Sequence, residues 1–308
     1  MIFHIGTRGS KLALTQSEWV KREVQTRHPE VRVELVKIKT KGDKILDSPL
    51  SKIGGKGLFV KEIEDALLKN DVDLAVHSLK DVPAELQEGL TISVYPKRED
   101  PRDAFVSRHF KAVKDLPQGA SVGTSSLRRS AQLLHMRPDL HIVPLRGNVD
   151  TRLRKLDSGD LQAIVLATAG LKRLGLSDRI TTPLSPEAVL PAIGQGVLGL
   201  ELRADDEKTR NLISFLNDLE TELAARAERA FLKELEGGCQ VPLAGYARVE
   251  RDLMVMDGMV AELDGSKILR QEIRGAKDKP EELGIALARR LLSAGADRIL
   301  EKIYGRSI

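Results

Sequence analysis

The chain has 308 residues, 41% of them hydrophobic, one cysteine, and a net charge of +4 from 49 basic and 45 acidic side chains. That length supports two or three packed domains, while the start Met1-Ile2-Phe3-His4 lacks a signal peptide and no apolar run is long enough to cross a bilayer; a cytoplasmic protein without membrane attachment is expected. One cysteine excludes an internal disulfide, and an aromatic content of 3%, with no helix-turn-helix or zinc-finger spacing, argues against nucleic acid as a partner.

In chain order, "IFHIGT" reads as a strand, residues 10 to 27 as a helix opened by Ser10, and "VRVELVKIKT" as a second strand, the rhythm of an α/β domain. The stretch "TKGDKILDSPLSKIGGKGLF" is long, polar and rich in Gly, Ser and Lys; a lid and a disordered surface loop fit equally well. Its "GGKG" lacks the remaining residues of a phosphate-binding loop. Phe59, Ile63, Ala66 and Leu67 mark one buried helix face, and "VDLAVHSL" a buried strand that runs into His77, Ser78, Lys80 and Asp81. In parallel α/β sheets the carboxyl ends of strands face the ligand. A carboxylate among cations there stays ionised and can stabilise a developing positive charge, although Asp81 before Val-Pro also suits a plain turn.

The pattern restarts near Asp103 with "DAFVS", "ASVGT", a helix from Ser126, "LHIVPL", a helix through Arg152, and "AIVLATAGL". "IGTRGSKLA" and "VGTSSLRRSA" share a strand, Gly-Thr, and a Ser at a helix start. Such starts suit an anion, and ordinary serine capping is the plainer reading of either alone. Arg128 and Arg129, about a quarter-turn apart on a helix, are not expected to share one carboxylate. "GQGVLG" matches a dinucleotide fingerprint, but Leu198, Leu200 and Leu202 alternate with Gly199, Glu201 and Arg203, a strand period that makes the match chance. From Thr221 onward, Leu223, Ala227, Ala230 and Phe231 form a helix stripe; "EGGCQVPLAGYA" and strand-like segments follow, and residues 279 to 304 read as one closing amphipathic helix. No His/Cys cluster has metal-ligand spacing, so no metal is expected. The lysines at 37, 39, 41 and 44 and the arginines at 146, 152 and 154 cluster in a way that suits a small polyanionic ligand.

With "GTRGSKLAL", "SKIGGKGLF", "AVHSLKDVP", "GTSSLRRSAQL", "LRGNVDTRLRKL" and "EGGCQVPLAGYA" in this order, the chain resembles the porphobilinogen deaminase (hydroxymethylbilane synthase) family over essentially its full length. The resemblance implies an α/β fold of two periplasmic-binding-protein-like domains around a cleft, plus a smaller α+β C-terminal domain. Domain 1 would comprise residues 1–96 and 197–216 with a mobile loop at about 42–58, domain 2 residues 100–193, and domain 3 residues 219–308. It implies a transferase that deaminates four porphobilinogen molecules, joins them head to tail on a dipyrromethane primer, and releases 1-hydroxymethylbilane for tetrapyrrole biosynthesis. Cys239 would carry the dipyrromethane covalently, and Asp81 would be catalytic. Lys80, Asp81, Ser126, Arg128, Arg129, Arg146, Gly147 and Arg152 would line the cofactor; Arg8, Ser10, Lys52, Lys56, Phe59, Arg146 and Arg152 would bind substrate. A monomer is expected, with product handed to the enzyme that acts next. Gly9 departs from the family, many members having a longer polar residue there. The runner-up, a non-catalytic two-lobed anion-binding protein, leaves the thiol in "GGCQVP" unexplained.

Overall fold

The computed structural model describes residues 2–44, 57–236 and 241–305. The first run of elements is β1 (Ile2–Arg8), α1 (Lys11–Arg27), β2 (Arg32–Ile38), the single turn α2 (Lys41–Lys44), α3 (Lys61–Leu68), β3 (Leu74–Ser78) and β4 (Leu90–Val94). The second is β5 (Asp103–Val106), β6 (Ser121–Gly123), α4 (Leu127–Met136), β7 (His141–Val143), α5 (Val149–Asp157), β8 (Ala163–Ala167), α6 (Thr168–Arg173) and β9 (Thr182–Leu184). Then come β10 (Leu198–Arg203), α7 (Glu207–Ile213), α8 (Leu219–Glu234), β11 (Leu243–Glu250), β12 (Leu253–Ala261), β13 (Ile268–Ala276), α9 (Pro280–Leu291) and α10 (Asp297–Tyr304). The chain divides into two compact units, Met1–Glu99 with Val197–Glu222, and Asp100–Gly196 with Leu223–Ile308.

The first unit holds a sheet of order β2-β1-β3-β10-β4. β1 runs parallel to β2 and β3, and β10 is antiparallel to both of its neighbours. Period-two alternation decides what each face buries. Phe3 and Ile5 of β1, Leu74 and Val76 of β3, and Leu200 and Leu202 of β10 pack with Val20 and Val24 of α1. On the opposite face Ala75 meets Ile63 and Leu67 of α3. The residues after Gly196 therefore enter a buried strand, and the dinucleotide fingerprint is absent as a structure.

The second unit contains a sheet of order β7-β6-β8-β5-β9, in which β6 is parallel to both neighbours and β5 antiparallel to both. Order and directions match the first sheet, as the two similar halves of the sequence predict. The unit also carries an antiparallel sheet, β11-β12-β13, packed under α8, α9 and α10. There Gly245 pairs with Gly258, and a Cβ on Gly258 would meet the Phe231 ring at 2.8 Å. Two glycines make room for one aromatic ring, and truncating Phe231, which is fully buried, should cost about 3–5 kcal/mol. The two sheets of this unit are joined through Ala131 and Leu190 packed on Ala244, Met259 and Ala261. Glu228 of α8 completes the joint: Gly194 N donates to its Oε2 (2.6 Å) and Ala247 N to its Oε1 (2.8 Å).

One expectation fails here. Residues 279 to 304 are not one helix, because α9 passes through a π turn, Leu292–Ala296, in which Gly295 has a φ of +99°. Glycine adopts that conformation without steric cost, so the axis changes while Leu283, Leu287, Leu291, Ile299 and Leu300 all remain buried in one cluster. No helix among the described residues is long and apolar enough to cross a membrane.

Candidate active site

β3 is apolar up to His77 and then gives way to a single 3-10 turn, Leu79–Asp81. The turn is pinned by Leu79 N donating to Val197 O (3.0 Å) and Val82 N to Leu79 O (3.1 Å), with the Leu79 and Val82 side chains buried. Ser78 is tied to α1 by Gln16 Nε2 at 2.9 Å. Between the two apolar anchors, Lys80 is half-buried and Asp81 exposed. The Asp81 carboxylate makes no hydrogen bond or ion pair among the described residues. A rigid backbone thus presents a carboxylate at the carboxyl end of a parallel strand.

Arg8 ends β1 on the same sheet. Its Nη2 donates to Asp43 Oδ1 (2.5 Å) and its Nε to the same oxygen (3.2 Å), and its guanidinium lies 4.3 Å from the Phe59 ring centroid. Burial works against the ionised Asp43, but the hydrogen bonds and charge of Arg8, with further bonds from Thr40, hold its carboxyl below the usual range. A Cβ on Gly42 would run into the Phe59 ring, so glycine there lets Phe59 lie beneath Arg8. Ser10 caps α1, accepting from Ala13 N at 3.3 Å. Around Gly9 a Cβ would have open space, so a longer side chain could stand there without a clash. Lys52, Lys56 and Cys239, and most of the expected loop at 42–58, lie outside the described residues.

In the second unit Ser126 caps α4, its Oγ accepting from Arg129 N at 3.4 Å. Both expected capping serines therefore do cap. Neither α1 nor α4 has an acidic residue in its first turn, whereas α3, α5 and α9 do, so the positive ends of α1 and α4 keep their charge preference for anions. Ser125 Oγ donates to Leu145 O (3.0 Å), making neighbours of the loops after β6 and β7. This puts Ser126 and Arg146 at the carboxyl ends of adjacent parallel strands. Gly147 has a φ of +99°, and its carbonyl receives Arg152 Nε at 2.8 Å, which fixes the root of that guanidinium. Asn148 caps α5 by accepting from Thr151 N (3.1 Å).

Arg128 and Arg129 overturn the expectation that they do not share a carboxylate. Arg128 Nη1 donates to Asp103 Oδ2 (2.7 Å) and Leu190 O (2.7 Å); Arg129 donates to Asp103 Oδ1 through Nε (2.9 Å) and Nη2 (2.7 Å), and to Val165 O through Nη1 (3.0 Å). Divergent side chains still meet because the carboxylate has two oxygens and each arginine takes one. Gln195 Nε2 adds a third donor to Oδ1 at 3.0 Å. Both arginines are buried, at 4% and 6% exposure. Burial alone would raise the Asp103 pKa, but the two guanidinium charges outweigh it and hold the carboxyl far below the usual range. The sequence reading missed Asp103; its one signal is an acidic residue leading the apolar run "DAFV".

Breaking this group by Asp103→Ala leaves two buried cations uncompensated and should cost about 3–5 kcal/mol, read as a lower midpoint in chemical denaturation. Because the folded pKa lies below the ordinary 3.8, the stability from Asp103 is complete above about pH 4 and is lost as the pH falls through the depressed value.

Comparison with known proteins gives two family models, "Porphobilinogen deaminase, dipyromethane cofactor binding domain" over residues 3–211 and "Porphobilinogen deaminase, C-terminal domain" over residues 222–293. The porphobilinogen deaminase of Syntrophotalea carbinolica is 57% identical, covering 96% of this chain and 94% of that protein. That of Geobacter metallireducens is 55% identical, covering 99% and 95%. Among solved structures, a methionine-binding protein shares 17% identity over 70% of this chain and 88% of that one, with a TM-score of 0.45.

Proposed function

The chain belongs to the porphobilinogen deaminase family, and from that premise we propose that Asp81 is its catalytic carboxylate and Cys239 the attachment point of a dipyrromethane cofactor. The observation that carries this reading is the Leu79–Asp81 turn, where an exposed carboxylate stands at the end of β3 between buried anchors. Asp81 would accept the pyrrole N–H of the bound unit and balance the positive charge that grows as ammonia departs. A fixed charge needs no reorganisation at that moment, which is why such groups lower barriers efficiently.

The donor set fits a group bearing several carboxylates. Among the described residues Arg128 spends only Nη1 on Asp103 and Leu190, so its Nε and Nη2 remain as donors for one carboxylate. Arg146, Arg152, Lys80, the Ser126 cap and the Gly147 backbone would complete the cofactor contacts. Arg8, Ser10, Lys52, Lys56 and Phe59 would serve the incoming unit. Each charge-assisted hydrogen bond contributes about 1.5–3 kcal/mol, so a few suffice to retain a growing polyanion. A bound dipyrromethane would supply the pyrrole carbon to which the first unit is joined. The protein would act in the cytoplasm as a monomer and pass its product to the next enzyme of the pathway.

Incubating the purified protein with porphobilinogen tests the reading as a whole. Four ammonia molecules should appear for each linear tetrapyrrole released. Ammonia released with no tetrapyrrole would mean deamination without chain assembly and would overturn the reading.

A further inference from the structure

Behind the Asp81 turn, in the layer between the sheet and α3, three ionisable side chains are buried together. His77 of β3 and Glu201 of β10 are 5% and 0% exposed, with Nε2 and Oε2 2.8 Å apart. A carboxylate can only accept, so with Glu201 ionised the imidazole donates through Nε2–H. Among the described residues Glu201 Oε1 has no hydrogen-bond partner. Glu64, in the first turn of α3, is 6% exposed and lies on the buried face of that helix with Ile63 and Leu67, which pack against Ala75 of β3. Such a group is costly to keep in an apolar layer.

We propose that Glu64, His77 and Glu201 form a buried proton-exchanging cluster whose loss of one proton to solvent adds a negative charge behind Asp81, supporting the cation-forming step assigned to that residue. The inference rests on the reading of Asp81 given above. His77 lies four residues before Asp81, so their backbones are at most about 14 Å apart. At a separation of that order and an effective dielectric near 20, one unit of charge changes a charge-forming step by about sevenfold.

The Glu64 carboxyl is pushed up to about 7, by burial first and the Glu201 charge second, with His77 acting in the opposite direction. The remaining groups on this side of the sheet leave it as the titrating member. Asp65 raises it and Lys61 lowers it slightly. Arg203 of β10 is held by Leu67 O, Val72 O and Asp206, with Asp73 at 3.8 Å. Arg8 of β1 is paired with Asp43, while Val36, Ile38 and Leu90 from β2 and β4 are apolar.

Because the folded pKa is raised, the cluster's contribution to stability is present below the ordinary value of 4.5 and lost as pH rises through about 7. Activity and stability then move in opposite directions across neutrality, a combination that a purely structural cluster does not produce.

The test is kcat against pH between 5.5 and 8.5 for the complete, cofactor-loaded enzyme. Wild type should show a limb that rises about sevenfold with a midpoint near 7. Glu64→Gln should remove the limb, stay on the acidic plateau with KM unchanged, and abolish the loss of thermal stability over the same range. Glu64→Asp should restore the limb. Carboxyl carbon NMR of the unmutated protein supplies a second measurement that does not depend on any variant folding. A Glu64 midpoint in the ordinary carboxylate range, or a rising limb intact in Glu64→Gln, overturns the proposal. Full activity of Asp81→Asn would instead refute the assignment of Asp81, and the NMR titration would still decide whether the cluster exchanges its proton.

Discussion

Asp81→Asn should lower kcat by about 10³-fold or more and leave the fold intact. The two side chains have the same shape, and the carboxylate makes no bond among the described residues that the amide would break. The anchors of its turn, Leu79 and Val82, are untouched. Stability should therefore change by no more than about 0.5 kcal/mol, the usual range for a surface substitution. What is lost is a full negative charge where positive charge develops. Substrate affinity, carried by arginine and lysine contacts, should change far less than turnover, so the loss falls on kcat rather than KM. Turnover within tenfold of wild type would move the catalytic role to another residue.

The second large effect concerns Cys239. The intact protein, freshly made and active, should weigh more than its sequence by one dipyrromethane, and Cys239→Ala should have the mass of its sequence and no tetrapyrrole synthesis. The residue lies outside the described residues, between two described anchors. Leu235 beyond α8 and Val241 before β11 are both buried in the core of the three-stranded sheet. Few residues separate these two anchors in the sequence. Thioether formation requires the thiolate to attack carbon, and the two residues before Cys239 are glycines, which carry no side chain. An unmodified mass in active enzyme would exclude covalent attachment.

Much of this arrangement is legible along the chain because it is local. Ser10 and Ser126 announce helix starts, and the alternation of Leu198, Leu200 and Leu202 separates a strand from a nucleotide-binding turn. The meeting of Asp103 with Arg128 and Arg129 is not legible, because the partners are more than twenty residues apart and only the sheet order brings them together. The same holds for Glu64, His77 and Glu201, which come from three separate segments. Adjacent arginines look divergent when only helix geometry is considered, and their reach toward a common carboxylate depends on what lies opposite. Gly295 shows the limit of pattern reading within one segment. The apolar spacing of α9 continues across it into α10, so periodicity gives no sign that the backbone turns left-handed there.

The place of β10 in the first sheet has a consequence for how the protein is made. Among the described residues β4 pairs only with β10, which lies between it and β3. During synthesis, residues 90–94 therefore wait without a strand partner until residues 198–203 have left the ribosome, about a hundred residues later. Over that interval the edge of β3 is open as well, while the parallel core of the second sheet can already close. An isolated fragment ending near Glu99 would expose these unpaired edges and tend to aggregate.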